Sequence, residues 1–279
     1  MPVEQINRTA LFYEENGDGE PLLLVHGAWV DHTDWDAVAP RLAEAHRVVT
    51  YDLRGHGQSA VEPPDAGTVH DDVADLAALI DHLDLGPANV AGISSGACIA
   101  LRLAIEHPTL VRRVLPHEPP IVALLLDDPN NEAILDEFGG TIAEVQARIE
   151  AGDHRGAAQR FFDHLVLDPW DDMPAALQER IASHAVAFVG QMRDADAIAL
   201  DPTALGAVSL PVLLSEGEES HELFRRVAER GAGLMPNARR VTIPAGGHVP
   251  HRTHPDAYVD MVLEFIRSTR SSLASDVEI

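Results

Sequence analysis

Basic residues are scarce in this sequence. Arginine and lysine together number 20, against 45 aspartates and glutamates, and the formal net charge of the 279-residue chain is −25. A surface with this charge repels phosphate backbones and anionic lipid headgroups. We therefore expect neither a nucleic-acid partner nor a membrane partner, and we interpret the acidic balance as a contribution to solubility.

Cysteine and long apolar runs are also nearly absent. The single cysteine, Cys98, excludes an internal disulfide framework. No apolar run approaches the roughly 20 residues that a membrane-spanning helix needs. The first twenty residues carry several charged side chains and lack the apolar segment of a secretory signal. We therefore expect a cytoplasmic protein.

The sequence does contain an alternation of strand-like and helix-like segments. Residues 22–25 are a continuous apolar run of strand length, which is typical of a strand buried on both faces of a sheet. We interpret residues 111–115 as another buried strand. Apolar spacing predicts helices over residues 34–45, 68–84 and 95–107. This alternation predicts an α/β fold, in which a mostly parallel sheet has helices on both faces.

The pattern changes in the middle of the chain. Between residues 119 and 206, apolar stripes at helical spacing are separated by prolines and glycines, and no segment reads convincingly as a strand. We interpret residues 119–206 as a helical lid. It is inserted into an α/β core that residues 1–118 and 207–279 form together.

The pattern Gly92-x-Ser94-x-Gly96 predicts a very sharp turn between a strand and a helix. A serine raised above the sheet on such a turn leaves no room for side chains two residues before or after it. The helix that follows offers its first N–H groups to a developing negative charge. Ser94 is therefore a candidate nucleophile; the alternative is a serine that only caps the helix.

Four motifs, in order along the chain, resemble those of the α/β-hydrolases. They are His26-Gly27, Asp52-x-Arg54-Gly55-x-Gly57-x-Ser59, the turn around Ser94, and Gly246-Gly247-His248. The resemblance implies an α/β-hydrolase sheet, with Ser94 as nucleophile and His248 as the base that activates it. It also implies that the N–H groups of Ala28 and Ser95 bind the oxyanion, and that neither a cofactor nor a metal ion is needed.

The acid that should orient His248 departs from the family's common pattern. An aspartate is expected after the strand over residues 212–214, but Ser220 stands there. Four glutamates lie nearby and out of register: Glu216, Glu218, Glu219 and Glu222.

Glu118 is a second candidate for this acid, because it follows the strand over residues 111–115 and should emerge at the same sheet edge as Ser94. A subset of α/β-hydrolases, including mycotoxin lactonases that act on zearalenone, places the acid here. The chain resembles that subset locally in Ser94-Ser95-Gly96 and His117-Glu118-x-Pro120. We favour Glu118 over Glu219; the alternative is a carboxylate at the pocket rim without a role.

Three bulky residues are candidates for the substrate pocket: Trp29, Trp170 and His251. Each could instead belong to the core or to a loop. His248, His251 and His254 also stand at three-residue spacing, but Pro250 and Pro255 interrupt a regular helix and no acidic ligand lies nearby, so we predict no metal site.

These residues predict a serine hydrolase that cleaves a carboxylic ester or lactone, with a moderately sized apolar acyl part, through an acyl-enzyme. C–C bond hydrolysis and cofactor-free perhydrolysis use a similar triad and stay open. A ligand-binding receptor with little turnover on the same scaffold is the alternative from another class. The sequence does not indicate an oligomeric state.

Overall fold

The computed structural model describes residues 3–59, 61, 63, 65–193 and 199–275. Its strands are β1 (Val3–Ile6), β2 (Thr9–Asn16), β3 (Glu20–Val25), β4 (His46–Tyr51), β5 (Ala88–Ile93), β6 (Val111–His117), β7 (Val212–Gly217) and β8 (Ala238–Ile243). They form one sheet in the order β1-β2-β4-β3-β5-β6-β7-β8. The β1–β2 and β2–β4 pairs are antiparallel, and all other pairs are parallel. The predicted mostly parallel sheet is confirmed.

The α-helices are α1 (Ala39–Leu42), α2 (Val69–His82), α3 (Ser95–Glu106), α4 (Glu132–Glu150), α5 (His154–Phe161), α6 (Ala175–Ser183), α7 (Ala185–Gln191), α8 (Pro202–Gly206), α9 (Glu222–Leu234), α10 (Pro250–Thr253) and α11 (Pro255–Ser275). α2 begins close to its predicted start because Thr68 and Asp71 form a reciprocal capping box. Among the described residues, no helix combines the length and apolar character that crossing a bilayer requires.

Side chains of β3 are buried on both faces of the sheet. Leu23 and Val25 belong to an apolar cluster that includes residues of α2 and α3. Leu22 and Leu24 point the other way, into a cluster with residues of α1 and α11. This double burial explains why the strand reads as a continuous apolar run instead of an alternating one.

The helix predicted over residues 34–45 is not continuous. The structure has a single tight turn, His32–Trp35, and then the one-turn helix α1. Pro40 lies in the first turn of α1. Proline has no N–H to continue a helix from the preceding turn, and it disfavours helical geometry at the residue before it. The apolar spacing there is therefore real, but proline divides the segment.

The segment between β6 and β7 contains helices α4 to α8 and shorter helical turns, with no strand among its described residues. We call residues 119–206 the helical insertion. It packs on the loop that follows β3, where the Trp29 ring lies 5.4 Å from that of Phe161 and 5.0 Å from that of Phe188. The insertion therefore covers the edge of the sheet at which the parallel strands end.

Gly96 allows the turn after β5 to approach β3 closely. A Cβ atom at Gly96 would lie 2.4 Å from the backbone oxygens of His26 and Val25. We expect Gly96→Ala to lower the free energy of unfolding by about 2–3 kcal/mol, because the backbone of β3 has little freedom to move.

The matched control is Gly139→Ala in α4, where an added Cβ meets nothing within 4 Å. There alanine should stabilise the chain by up to about 1 kcal/mol through its helix propensity. Equilibrium unfolding in urea measures both variants. Equal effects of the two substitutions would contradict the close approach at Gly96.

Candidate active site

Ser94 stands on the turn between β5 and α3 with φ 56° and ψ −121°. This backbone region is costly for a residue with a side chain, of order 1–3 kcal/mol. The turn is held by the Ser94 N–H, which donates to the His117 carbonyl at 2.9 Å. Gly92 makes the turn feasible, because a Cβ there would lie 2.3 Å from the Gly96 carbonyl oxygen. The Ser94 side chain borders a cavity.

Glu118 follows β6 directly and is fully buried. Its own N–H donates to the Ser215 carbonyl at 3.1 Å, and its φ is 47°. Oε1 of the carboxylate accepts from the Gly217 N–H at 2.7 Å. Oε2 accepts from Nδ1 of His248 at 2.6 Å. The carboxylate therefore joins the ends of β6, β7 and β8.

The environment of Glu118 favours its charged form. Burial works against the charge, but His117, His248 and the Gly217 N–H outweigh it and hold the pKa of Glu118 below its ordinary value. An ionised Glu118 requires the proton to sit on Nδ1 of His248. Nε2 on the other side of the ring then carries the lone pair that a general base needs.

The His248 ring is fixed on a second side by Phe224. Their centroids are 4.4 Å apart with an angle of 25° between the planes, a stacked arrangement. His248 is almost fully buried and borders the same cavity as Ser94. The structure therefore brings Ser94, His248 and Glu118 together at one edge of the sheet.

The alternative acids lie elsewhere. The carboxylate of Glu216 accepts from Arg240 and Thr242 on β8. Glu218 accepts from the Ala245 N–H, and Glu222 from Arg226 on its own helix. Glu219 is exposed. The hydrogen bond to His248 thus comes from the strand before the usual one.

The two expected oxyanion donors flank Ser94. Ser95 is the first residue of α3, so its N–H has no acceptor within the helix. Ala28 belongs to the loop after β3. Both residues border one cavity together with Ser94. The backbone around Ser94 can therefore present two N–H groups to a negatively charged oxygen.

Two cavities meet at Ala28, Ser94 and Phe161. The first has an almost entirely apolar wall, which includes Phe138, Ile142, Leu165, Phe188 and Met192. The second is bordered by polar as well as apolar side chains, among them His248, Trp29, Asp34 and Arg252. A ligand spanning both would have its centre at Ser94.

Of the three residues expected to bind substrate, one borders the cavities and two do not. Trp29 borders the second cavity. Trp170 is 1% exposed and packs on Phe162, and His251 is fully buried with its Nε2 bonded to Asp34 at 2.6 Å. Neither borders the two cavities. Sequence patterns do not separate a core aromatic from one that faces a cavity.

Sequence reasoning did not identify the polar side chains of the second cavity. Asp34 lies on the short turn before α1, and Arg252 lies on α10. No motif marks either residue; the one available signal for Arg252 is its position four residues after His248.

The three histidines at three-residue spacing have three different partners. His248 bonds to Glu118, His251 to Asp34, and His254 to Thr253. In a separate group, Asp31, His32 and Asp52, the atoms that could ligate a metal ion lie within 4.8 Å of one another. There the His32 Nδ1 bonds to Asp52 at 2.6 Å, so the contact anchors the loop after β4.

Glu118 should make the stability of the protein depend on pH. Its folded-state pKa lies below the ordinary value of 4.5. The ionised form therefore contributes stability that is fully present above the unfolded-state pKa and is lost as the pH falls through the folded-state pKa. Between about pH 6 and pH 3, we expect Glu118→Gln to lose less unfolding free energy than the wild type. Urea titrations at each pH measure this, with the exposed Glu219→Gln as control; identical pH dependence of wild type and Glu118→Gln would contradict it.

Known proteins share this architecture. A family model of the alpha/beta hydrolase fold matches residues 20–255. A putative non-heme bromoperoxidase, BpoC, of Mycobacterium tuberculosis (strain H37Rv) is 41% identical over 270 residues, which covers 94% of this chain and 99% of that protein. The zearalenone hydrolase of Bionectria ochroleuca is 26% identical over 270 residues, covering 92% and 94%.

A solved structure gives the same result for the fold. The structure of Est816, described as an N-acyl homoserine lactone degrading enzyme, matches with a TM-score of 0.75 over 93% of this chain and 98% of that chain, at 21% identity. The matched family model extends from β3 to the start of α11 and so includes Ser94, Glu118 and His248. This chain belongs to the α/β-hydrolase family and is an enzyme.

Proposed function

We propose that the protein hydrolyses carboxylic esters or lactones through an acyl-enzyme formed on Ser94. The observation that carries the proposal is the buried hydrogen bond from His248 Nδ1 to Glu118 Oε2 at 2.6 Å, beside a cavity that Ser94 and His248 share. A serine hydroxyl is a weak nucleophile at neutral pH. It becomes effective when a base accepts its proton and an acid holds that base in place.

In the proposed reaction, His248 Nε2 takes the proton of Ser94 as its Oγ attacks the substrate carbonyl. The oxyanion accepts from the N–H groups of Ala28 and Ser95, where loss of one donor costs about 3–4 kcal/mol of transition-state stabilisation. Glu118 stays ionised and stabilises the imidazolium. His248 then protonates the leaving alkoxide, and it activates the water that releases the acyl group.

The substrate we propose has an apolar part on one side of its carbonyl group. The cavity bordered by Phe138 and Leu165 is walled by apolar side chains, which is typical of small-molecule sites. On the other side, Arg252 Nη1 is buried and has no hydrogen-bond partner among the described residues. A substrate oxygen at that point would provide the missing acceptor. The relative named zearalenone hydrolase supports a lactone among the substrates.

Perhydrolysis is a second candidate, favoured by the 41% identical relative named a putative non-heme bromoperoxidase. In that reaction hydrogen peroxide replaces water in the attack on the acyl-enzyme and releases a peracid. Both reactions need the same acyl-enzyme. Adding peroxide and bromide to the ester assay and measuring bromination distinguishes them.

The first test is hydrolysis of chromogenic esters and lactones of graded size, with a fluorophosphonate probe applied to the same enzyme. We expect turnover, an early burst of product with activated esters, and labelling of the wild type. Ser94→Ala should lose all three, because it removes the nucleophile. The neighbouring Ser95→Ala is the matched control and should keep the labelling, since only its backbone N–H is assigned a role. A wild-type enzyme that is not labelled would support the receptor hypothesis instead.

The second test concerns the acid. We expect Glu118→Gln to lower kcat by about 10³- to 10⁴-fold, because a neutral amide neither orients the imidazole in the required tautomer nor stabilises its charged form. The exposed Glu219→Gln should stay within about twofold of the wild type. Steady-state kinetics of both variants measure this. A large loss in Glu219→Gln with an active Glu118→Gln would return the acid to the loop after β7.

A further inference from the structure

Three consecutive carbonyl groups of the loop after β3 each accept a hydrogen bond from a different buried histidine. The pairs are His26 Nδ1 with the Gly27 oxygen at 2.8 Å, His56 Nε2 with the Ala28 oxygen at 2.6 Å, and His184 Nδ1 with the Trp29 oxygen at 3.1 Å. The three rings form a column, with centroids 5.2 Å apart at each step. Two of these histidines belong to the core, and His184 belongs to the helical insertion.

The hydrogen-bond partners determine where the protons lie on two of the rings. His26 Nε2 accepts from the Leu53 N–H at 2.9 Å, and His184 Nε2 accepts from the Gly57 N–H at 3.2 Å. Each ring must therefore carry its proton on Nδ1 and donate it to the loop. Burial lowers the pKa of His26 and of His184, and it lowers the pKa of His56 to about 3, so all three rings are neutral at pH 7. The neutral His56 ring has one N–H and two carbonyl neighbours, Ala28 at 2.6 Å from Nε2 and Arg54 at 3.1 Å from Nδ1. We assign the proton to Nε2, which makes the shorter contact.

These bonds bear on the oxyanion donor. In a trans peptide the C=O and N–H bonds point in opposite directions. The bond from His26 to the Gly27 oxygen therefore sets the direction of the Ala28 N–H. The bonds to the Ala28 and Trp29 oxygens hold the next two peptides, so the loop has little freedom to rotate the donor away from Ser94.

His184 is the one member of the column that comes from outside the core. It lies between α6 and α7 of the helical insertion and is 4% exposed. The ring joins the loop after β3 to the loop after β4, through Trp29 and Gly57. The side chain of Trp29 packs on Phe161 and Phe188 of the same insertion. Both the carbonyl and the side chain of Trp29 are thus held by the insertion.

We propose that His184 is a positioning residue, through which the helical insertion holds the oxyanion loop in its productive orientation. This inference rests on the proposed Ser94 mechanism. It assigns the insertion a role in stabilising the transition state, beyond shaping the pocket. A donor misplaced by about 1 Å can cost on the order of 100-fold in rate.

The test compares His184→Phe, which keeps a ring and removes both hydrogen bonds, with His184→Asn, whose amide N–H can replace the Nδ1 donor. We expect His184→Phe to lower kcat by about 10- to 100-fold while KM stays within about threefold. The rate of Ser94 phosphonylation by a fluorophosphonate should fall in parallel. His184→Asn should recover most of both rates. Titration of active sites with the same probe expresses each rate per folded enzyme, so a loss of stability alone would leave these rates unchanged.

The matched control is His164→Phe, at an exposed histidine of the same insertion, and it should behave as the wild type. Wild-type rates per active site in His184→Phe would overturn the inference, and so would failure of His184→Asn to exceed His184→Phe. A third outcome separates the two proposals: the wild type is labelled but turns over no ester or lactone, and labelling is slower in His184→Phe than in the wild type. That outcome would reject the proposed function and keep the inference. A wild type that is not labelled would overturn both.

Discussion

The hydrogen bond between Glu118 and His248 joins the ends of two strands that are not neighbours. β7 lies between β6 and β8, and its last residue, Gly217, donates its N–H to the same carboxylate. A Cβ at Gly217 would lie 2.3 Å from the Gly246 oxygen, so only glycine lets the loop with His248 come this close. The site therefore depends on a buried charge at the end of β6, whose oxygens accept from a backbone N–H of β7 and from an imidazole that follows β8.

Backbone strain is concentrated at the same edge. Ser94, Glu118 and Ala245 all have φ between 47° and 56°, a region that costs about 1–3 kcal/mol for residues other than glycine. Such conformations persist only where their surroundings fix them. For Ser94 and Glu118, the surroundings are the buried strands β5 and β6, together with the hydrogen bonds from the Ser94 N–H to the His117 carbonyl and from the Glu118 N–H to the Ser215 carbonyl. The rigid core thus holds the reacting groups, while the helical insertion covers them.

Much of the fold could be predicted from the sequence, because its signals are local. Continuous apolar runs indicated buried parallel strands, and the two glycines around Ser94 have steric reasons visible in the chain. Glu118 could be proposed because parallel strands end at one edge. The positions of Trp170 and His251 could not be predicted, since burial of an aromatic residue or a histidine depends on contacts that are distant in sequence. The roles of Arg252 and His184 could not be predicted for the same reason. The hydrogen-bond partners of His184 lie more than 120 residues away in the sequence.

The most direct measurement is a crystal structure of the enzyme after reaction with a phosphonate ester, whose adduct resembles the tetrahedral intermediate. The account predicts phosphorus bound to Ser94 Oγ. It also predicts a phosphonyl oxygen within about 3 Å of the N–H groups of Ala28 and Ser95, and Glu118 still bonded to His248 Nδ1. An adduct on another residue would contradict it, as would an adduct on Ser94 whose oxygen faces away from these two N–H groups.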